Sequence, residues 1–300
     1  MIYTVTLNPA LDYIMQVGKL RADNINRSYF EELHYGGKGI NVSVMLTRLG
    51  VPNKALGFIA GFTGERLNEM LLSEGVDCRF SRLKDGNTRI NVKIKSDTEL
   101  DINARGPEID GGDIRKLLSS LTKIKRGDYL VLAGSVPQNM PSDVYERILE
   151  PLKDKGINFV VDACGESLTG ALKYKPFLIK PNHLELGDLF GVKIKSEEEI
   201  ITCAKKLQDA GARNVLVSRG EDGALLLDEN GEVTKIGAVK GEIVNTVGAG
   251  DSMVAGFLAG YTLSGDCKYA LRLGAAAGSA AVFCKAIPSA DEVKAMLEKI

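Results

Sequence analysis

Tyr129-Leu130-Val131-Leu132 is a continuous apolar run, and the same form recurs at Asn158-Phe159-Val160-Val161, at Phe177-Leu178-Ile179 and at Asn214-Val215-Leu216-Val217. Helical stretches separate these runs. A strand apolar on both faces must be covered on both, and strands alternating with helices pair in parallel through crossovers. Working back toward the N-terminus, residues 2–7 form a further β-rich run that ends at Asn8-Pro9. Residues 41–50 read as a helix, since Val42, Met45, Leu46 and Leu49 fall at i, i+3, i+4 and i+7 and Gly50 is a natural stop. A strand over 54–60 and a helix over 65–75 continue the rhythm. The fold class this predicts is α/β: a doubly wound, mostly parallel sheet with helices on both faces.

One stretch departs from that rhythm. From Arg89 the residues alternate strictly, with Ile90, Val92 and Ile94 opposite Arg89, Asn91, Lys93 and Lys95. After a turn at 96–99, Leu100, Ile102 and Ala104 alternate again. That is an antiparallel hairpin with one apolar and one polar face, and residues 13–33 suggest a second. A one-faced sheet must cover something. Residues 9–35 and 86–106 are therefore expected to form a small lid inserted into one α/β domain spanning 1–300.

Composition narrows the function. With 38 Lys+Arg against 39 Asp+Glu the net charge is −1, so neither a nucleic acid nor a membrane surface is the expected partner. No apolar run reaches the length of a membrane span. The five cysteines are scattered and only two histidines are present, which disfavours a Cys/His zinc site and suits free thiols in a reducing, cytoplasmic setting.

Open parallel sheets bind ligands beyond the carboxyl ends of their strands. Those ends carry Asn8-Pro9, Gly134-Ser135, Asp162, Lys180-Pro181-Asn182 and Ser218-Arg219-Gly220, and the repetition of small and polar groups points to one site. The sharpest local signal is Thr246-Val247-Gly248-Ala249-Gly250-Asp251-Ser252, opening an amphipathic helix with Val254, Phe257, Leu258 and Tyr261 on one face. Glycines before a helix N-terminus turn N–H groups toward a bound anion, and the helix dipole adds to the attraction. Asp251 is either a helix cap or a base that takes the proton of a hydroxyl attacking a phosphoryl group. An ordinary carboxyl pKa of about 3.9 keeps it ionised at neutral pH. Gly36-Gly37-Lys38-Gly39-Ile40-Asn41 is a second glycine-rich entry to a helix. It is neither a Walker A loop nor GxGxxG. Asn182 and Glu185 share a helix face and suit either a capping box or water-mediated Mg²⁺. Arg89 and Lys93 lie on the polar face of the hairpin, where a guanidinium suits a substrate phosphate.

Asn8-Pro9-Ala10-Leu11-Asp12, the 36–41 motif, Lys180-Pro181-Asn182 with Glu185, and 246–252 occur in the order seen in the PfkB (ribokinase-like) carbohydrate kinases. The chain resembles that family from residue 1 to about 282, and most closely the branch acting on sugar phosphates. The resemblance implies ATP-dependent phosphorylation of a ketohexose phosphate, with fructose 1-phosphate going to fructose 1,6-bisphosphate; a tagatose-6-phosphate or 6-phosphofructokinase activity is the alternative. It implies Asp251 as base and Gly248, Ala249 and Gly250 as anion hole. Asp12, Gly36, Gly37 and Asn41 would bind the sugar, with Ser135 lining its site, and Lys38, Arg89 and Arg27 would meet its phosphate. Lys180, Asn182, Ser218, Gly220 and Gly223 would contact ATP, with Glu185 organising Mg²⁺ and a homodimer forming through the lid. Two features depart from the family pattern: Arg219 stands where relatives carry an apolar residue, and the segment after Val282 lacks the usual Gly/Asn-rich loop, which leaves a monovalent-cation site open. A non-catalytic sugar-phosphate sensor is the reading from another class, and it would be free to lose Asp251, Asn182 or Glu185. All three are present.

Overall fold

The computed structural model describes all 300 residues. Its strands are β1 (Ile2–Thr6), β2 (Ala10–Val17), β3 (Ser28–Gly36), β4 (Asn53–Ile59), β5 (Ser81–Arg82), β6 (Arg89–Lys95), β7 (Glu99–Asn103), β8 (Tyr129–Ala133), β9 (Asn158–Asp162), β10 (Leu178–Ile179), β11 (Asn214–Ser218), β12 (Ala224–Leu227) and β13 (Val233–Ile236). The helices are α1 (Lys38–Arg48), α2 (Gly61–Ser73), α3 (Gly111–Leu121), α4 (Val144–Leu149), α5 (Gly165–Ala171), α6 (His183–Phe190), α7 (Glu197–Asp209), α8 (Ala249–Ser264), α9 (Cys267–Phe283) and α10 (Ala290–Leu297).

Nine strands form the main sheet in the order β13-β12-β11-β10-β9-β8-β1-β4-β5. All neighbours from β11 to β5 pair in parallel, as the apolar runs predict. The last two strands at the β13 edge are antiparallel, a hairpin not expected from the sequence. Alternate strand residues feed opposite faces: Leu130 and Leu132 pack with α3, α4, α5 and α7, while Val131 packs with α1, α2 and the three C-terminal helices. The two apolar layers hold 36 and 34 buried residues, so both faces are covered about equally, as a parallel sheet requires. The chain leaves β1 for β4 on one side and returns to β8 on the other, which puts the switch point, where such folds bind ligands, beside β1.

The second sheet has the order β3-β2-β6-β7 and unites both predicted hairpins. Asp12 sits opposite Asn91 and Ala10 opposite Arg89, so Asp12, Arg89, Asn91 and Lys93 share one face. On the other face, Ile90, Leu100 and Ile102 are exposed. No helix of the structure is long and apolar enough to cross a membrane.

Candidate active site

The carboxyl ends of β1, β8, β9, β10 and β11 open into one cavity of about 510 Å³. Ser135, Asp162, Lys180, Asn182 and Ser218 reach it from the body. Asp12 and Arg89 face it from the second sheet, and the N-termini of α1 and α8 enter from the side with Gly37, Lys38, Asn41, Gly248, Gly250 and Asp251.

Gly248 caps α8 with φ of 80°, a left-handed conformation that any side chain would strain. A Cβ there would also lie 2.9 Å from Ile287 Cδ1. The amides of Gly248, Gly250 and Asp251 have no partner in the protein, and Ser252 is the first well-bonded N–H of the helix, donating to the Gly248 carbonyl at 2.8 Å. Gly250 leaves room for the Lys180 ammonium, which a Cβ at that position would meet at 3.1 Å. Unpaired amides, a helix N-terminus and a buried ammonium stand together at this corner of the cavity, an arrangement able to hold an anion.

Asp251 is 6% exposed. Asn41 Nδ2 donates to its Oδ2 at 2.7 Å, so Oδ1 is left for another donor. Burial first and the Asp162 charge second push its carboxyl up to about 6, against the opposing pull of Asn41, Lys38 and Lys180. The ordinary pKa expected from the sequence is therefore corrected: Asp251 is a stronger base than a surface aspartate and still largely ionised at pH 7.5.

Asp162, 1% exposed, holds the two ammoniums of the site. Lys38 Nζ lies 3.1 Å from its Oδ1 and Lys180 Nζ 3.5 Å from the same atom. Burial alone would raise the Asp162 carboxyl, but Lys180 and Lys38 hold it below the usual range. Burial alone would likewise lower Lys38, yet Asp162, Asp251 and Glu185 keep it above its ordinary value. Sequence reading placed Asp162 at a strand end and assigned it no role. Thr6 was missed altogether; it lines the cavity with its buried Oγ1 unpartnered.

On the lid side, Asp12 Oδ1 accepts from Asn91 Nδ2 at 2.8 Å, and Lys93 Nζ stands 3.8 Å from Oδ2. Gly36 backs Asp12 and does not line the cavity itself, since a Cβ there would come within 2.8 Å of Asp12 Oδ1. Arg89 is half-buried, its Nε has no partner, and burial lowers its pKa against the pull of Asp12.

Asn182 and Glu185 form the capping box of α6: Asn182 Oδ1 accepts from the Leu184 and Glu185 amides at 2.9 and 2.8 Å, and Glu185 Oε2 accepts from the Asn182 amide at 2.8 Å. Glu185 nevertheless lines the cavity with Oε1 free of protein partners. No three His, Cys, Asp or Glu side chains come together as a protein-only metal site. A cation held through water and phosphate oxygens fits these residues, and Mg²⁺ binds that way.

Ala249, expected in the anion hole, does not line the cavity, and its amide donates to the Thr246 carbonyl at 3.4 Å. Three more of the expected residues lie elsewhere. Arg27 is on the exposed β2–β3 loop, beside Lys19 and Arg21 in a separate hollow, because the hairpin carries its tip away from the body. Gly220 and Gly223 form the turn between β11 and β12 and do not line the cavity, whose edge on that side is Ser218. Arg219 is drawn off by Glu197 at 2.9 Å.

The doubly wound sheet with its second, one-faced sheet over the switch point is the ribokinase-like architecture of small-molecule kinases. The chain belongs to the pfkB family of carbohydrate kinases, whose model matches residues 6–291, and it is a sugar-phosphate kinase. It is 46% identical to the 1-phosphofructokinase of Bacillus subtilis, with 100% of this chain and 98% of that protein covered. It is 41% identical to the D-tagatose-1-phosphate kinase of Bacillus licheniformis, over 96% of this chain and 94% of that one. Phosphofructokinase-2 from Escherichia coli in complex with fructose-6-phosphate superposes with a TM-score of 0.92 at 28% identity, covering 99% of this chain and 98% of that chain.

Proposed function

We propose that the chain transfers the terminal phosphoryl group of ATP to the C6 hydroxyl of fructose 1-phosphate, giving fructose 1,6-bisphosphate. The observation that carries this reading is a cavity with two separate places for phosphate. One is the amide and lysine cluster beside Asp251; the other is the unpartnered Arg89 under the lid. A sugar with phosphate at one end and a reacting hydroxyl at the other spans the two. The names of the relatives in Bacillus subtilis and Borreliella burgdorferi support the acceptor. The tagatose relative is named for a 1-phosphate, so the second reading moves from a 6-phosphate to D-tagatose 1-phosphate.

In this mechanism Asn41 fixes one Asp251 oxygen and the other accepts the hydroxyl proton late, as the bond to phosphorus forms. The Gly248, Gly250 and Asp251 amides face the oxygens of the migrating group, and Lys38 and Lys180 balance its charge; Lys38, expected at the sugar phosphate, takes this place because Asp162 holds it on the same oxygen as Lys180. Asp12 positions the sugar, and the lid keeps out water that would otherwise hydrolyse ATP. Mg²⁺, when bound through water at Glu185, supplies further charge neutralisation on the nucleotide phosphates.

An ADP-release assay over fructose 1-phosphate, tagatose 1-phosphate, fructose 6-phosphate, tagatose 6-phosphate and fructose tests the assignment. Fructose 1-phosphate is expected to give the highest kcat/KM. Turnover confined to unphosphorylated sugars would reject it, and calorimetric binding without turnover would mark a sensor. Arg89→Ala should raise KM for the sugar phosphate about 10- to 100-fold, the worth of charge-assisted hydrogen bonds, while KM for ATP changes less than about twofold.

The same reading includes a homodimer formed through the apolar face of the lid, where Ile90, Leu100 and Ile102 are 36%, 41% and 54% exposed. A sheet face of this kind buries against a second copy. Light scattering should give twice the chain mass, and Ile102→Asp should shift it toward the monomer; a wild-type monomer at micromolar concentration would contradict this.

A further inference from the structure

Arg48 ends α1, the helix whose first residues carry Lys38 and Asn41, and its guanidinium contacts three separate parts of the chain. Nε and Nη2 donate to Glu74 Oε2 at 3.1 and 2.7 Å, just beyond the end of α2. Nη2 stands 3.5 Å from the hydroxyl of Tyr35, the β3 residue paired with Leu11 and immediately before Gly36-Gly37. Nη1 donates to the carbonyl oxygen of Ile287.

Ile287 is 8% exposed and presses on the glycine loop, with its Cδ1 2.9 Å from where a Gly248 Cβ would stand. The same segment holds the loop by a second route. Asn245 Nδ2 donates to the Lys285 carbonyl at 3.1 Å, while its Oδ1 accepts from the Val247 amide at 3.0 Å. Segment 284–288 is thus a brace behind Gly248, and Arg48 ties that brace to the base of the lid.

We propose that Arg48 is a positioning residue that couples the base of the lid to the phosphoryl-binding glycine loop, acting through Ile287. It does not line the cavity. Strand β3, which bears Tyr35, runs directly into the substrate glycines, so the position of the lid and the position of the Gly248 amide are set by one guanidinium. Its rigid planar fork presents separate nitrogens to Glu74 and to the Ile287 carbonyl, a geometry that the single nitrogen of a lysine does not reproduce. Small displacements of a phosphoryl-binding loop are costly, since about 1 Å is worth on the order of 100-fold in rate.

This inference rests on the reading of 248–251 as the phosphoryl site, but not on the identity of the sugar: the assay uses whichever acceptor the panel selects. Arg48→Met, which keeps the aliphatic stem, should lower kcat about 10- to 30-fold, with KM for either substrate changed less than about threefold. Arg48→Lys should not rescue it. Ile287→Ala should reproduce the kcat-selective loss, and the double variant should be no slower than the worse single one, because both act on one connection. All rates are read at least 15 °C below each variant's own melting midpoint. A lowered midpoint with unchanged kcat would overturn the proposal, as would full rescue by lysine or multiplicative losses in the double variant. If the phosphoryl-site reading itself were wrong, Gly248→Ala would leave kcat intact, which separates the two failures.

Discussion

Asp251→Asn is expected to lower kcat by about 10²–10⁴-fold, the usual worth of a positioned general base, with ATP affinity nearly unchanged. The amide still accepts from Asn41, so the local geometry holds and only the proton acceptor is lost. The parent enzyme should show an acidic limb in kcat/KM near pH 6, the value to which burial and the Asp162 charge push the carboxyl. Activity falls as pH drops through that limb, because the protonated carboxyl cannot take the hydroxyl proton. Stability runs the opposite way. Between the unfolded value of 3.8 and the folded value of about 6, the native chain holds a proton that the unfolded chain has released, so stability declines as pH rises through that window. Asp251→Asn removes this cost. It should melt no lower than the parent, and the difference should grow from pH 4.5 to pH 8. A variant with near-parental kcat would dismiss Asp251 as base, and one that melts much lower at pH 8 would show that the ionised carboxylate stabilises the fold.

The second large effect is expected at Asp162. Asp162→Asn leaves two ammoniums facing a neutral amide, one of them the 6%-exposed Lys180. Removing one partner from a buried ion cluster costs on the order of 3 kcal/mol, which in a chain of this size lowers the melting midpoint by about 5 °C. With both lysines freed from their anchor, kcat should drop at least about tenfold and KM for ATP should rise. The acidic limb should also move below pH 6, since a negative neighbour is lost and both ammoniums turn to Asp251. Spectrophotometric pH–rate profiles of the two enzymes measure that shift. A limb that stays in place would mean that Asp162 does not set the electrostatics of Asp251.

Much of this molecule is legible in its sequence because the fold and the site depend on local signals. The runs at 129–132, 158–161 and 214–217 are apolar on both faces, and each became a parallel strand buried between helix layers. The strict alternation from Arg89 onward became β6, with its polar side toward the cavity. Ala224-Leu225-Leu226-Leu227 carries the same apolar signature as the parallel strands, so its antiparallel pairing is visible only in the short connections on either side, 219–223 and 228–232, neither long enough for a parallel crossover. The periodicity of α8 predicted one apolar face, yet residues 251–260 are buried on every side, because α1 and α9 flank a helix rich in Ala and Gly.

Long-range electrostatics left no such trace. Asp162 meets Lys38 across 124 residues and Asn41 meets Asp251 across 210, spacings that no window along the chain reveals. For the same reason the basicity of Asp251 could not be read, since it comes from burial and a carboxylate contributed by β9. Arg27 stands off the cavity of its own chain for a related reason: the ten-residue connection between β2 and β3 carries it to the tip of the hairpin.

The central claim is that the glycine loop and Asp251 together face the migrating phosphoryl group. A crystal structure of the chain with a non-hydrolysable ATP analogue and the sugar phosphate selected by the acceptor panel tests it directly. The terminal phosphate is expected within hydrogen-bonding distance of the Gly248 and Gly250 amides, with the acceptor hydroxyl against the free Asp251 oxygen. A terminal phosphate bound away from that corner, with Asp251 touching neither ligand, would contradict the account.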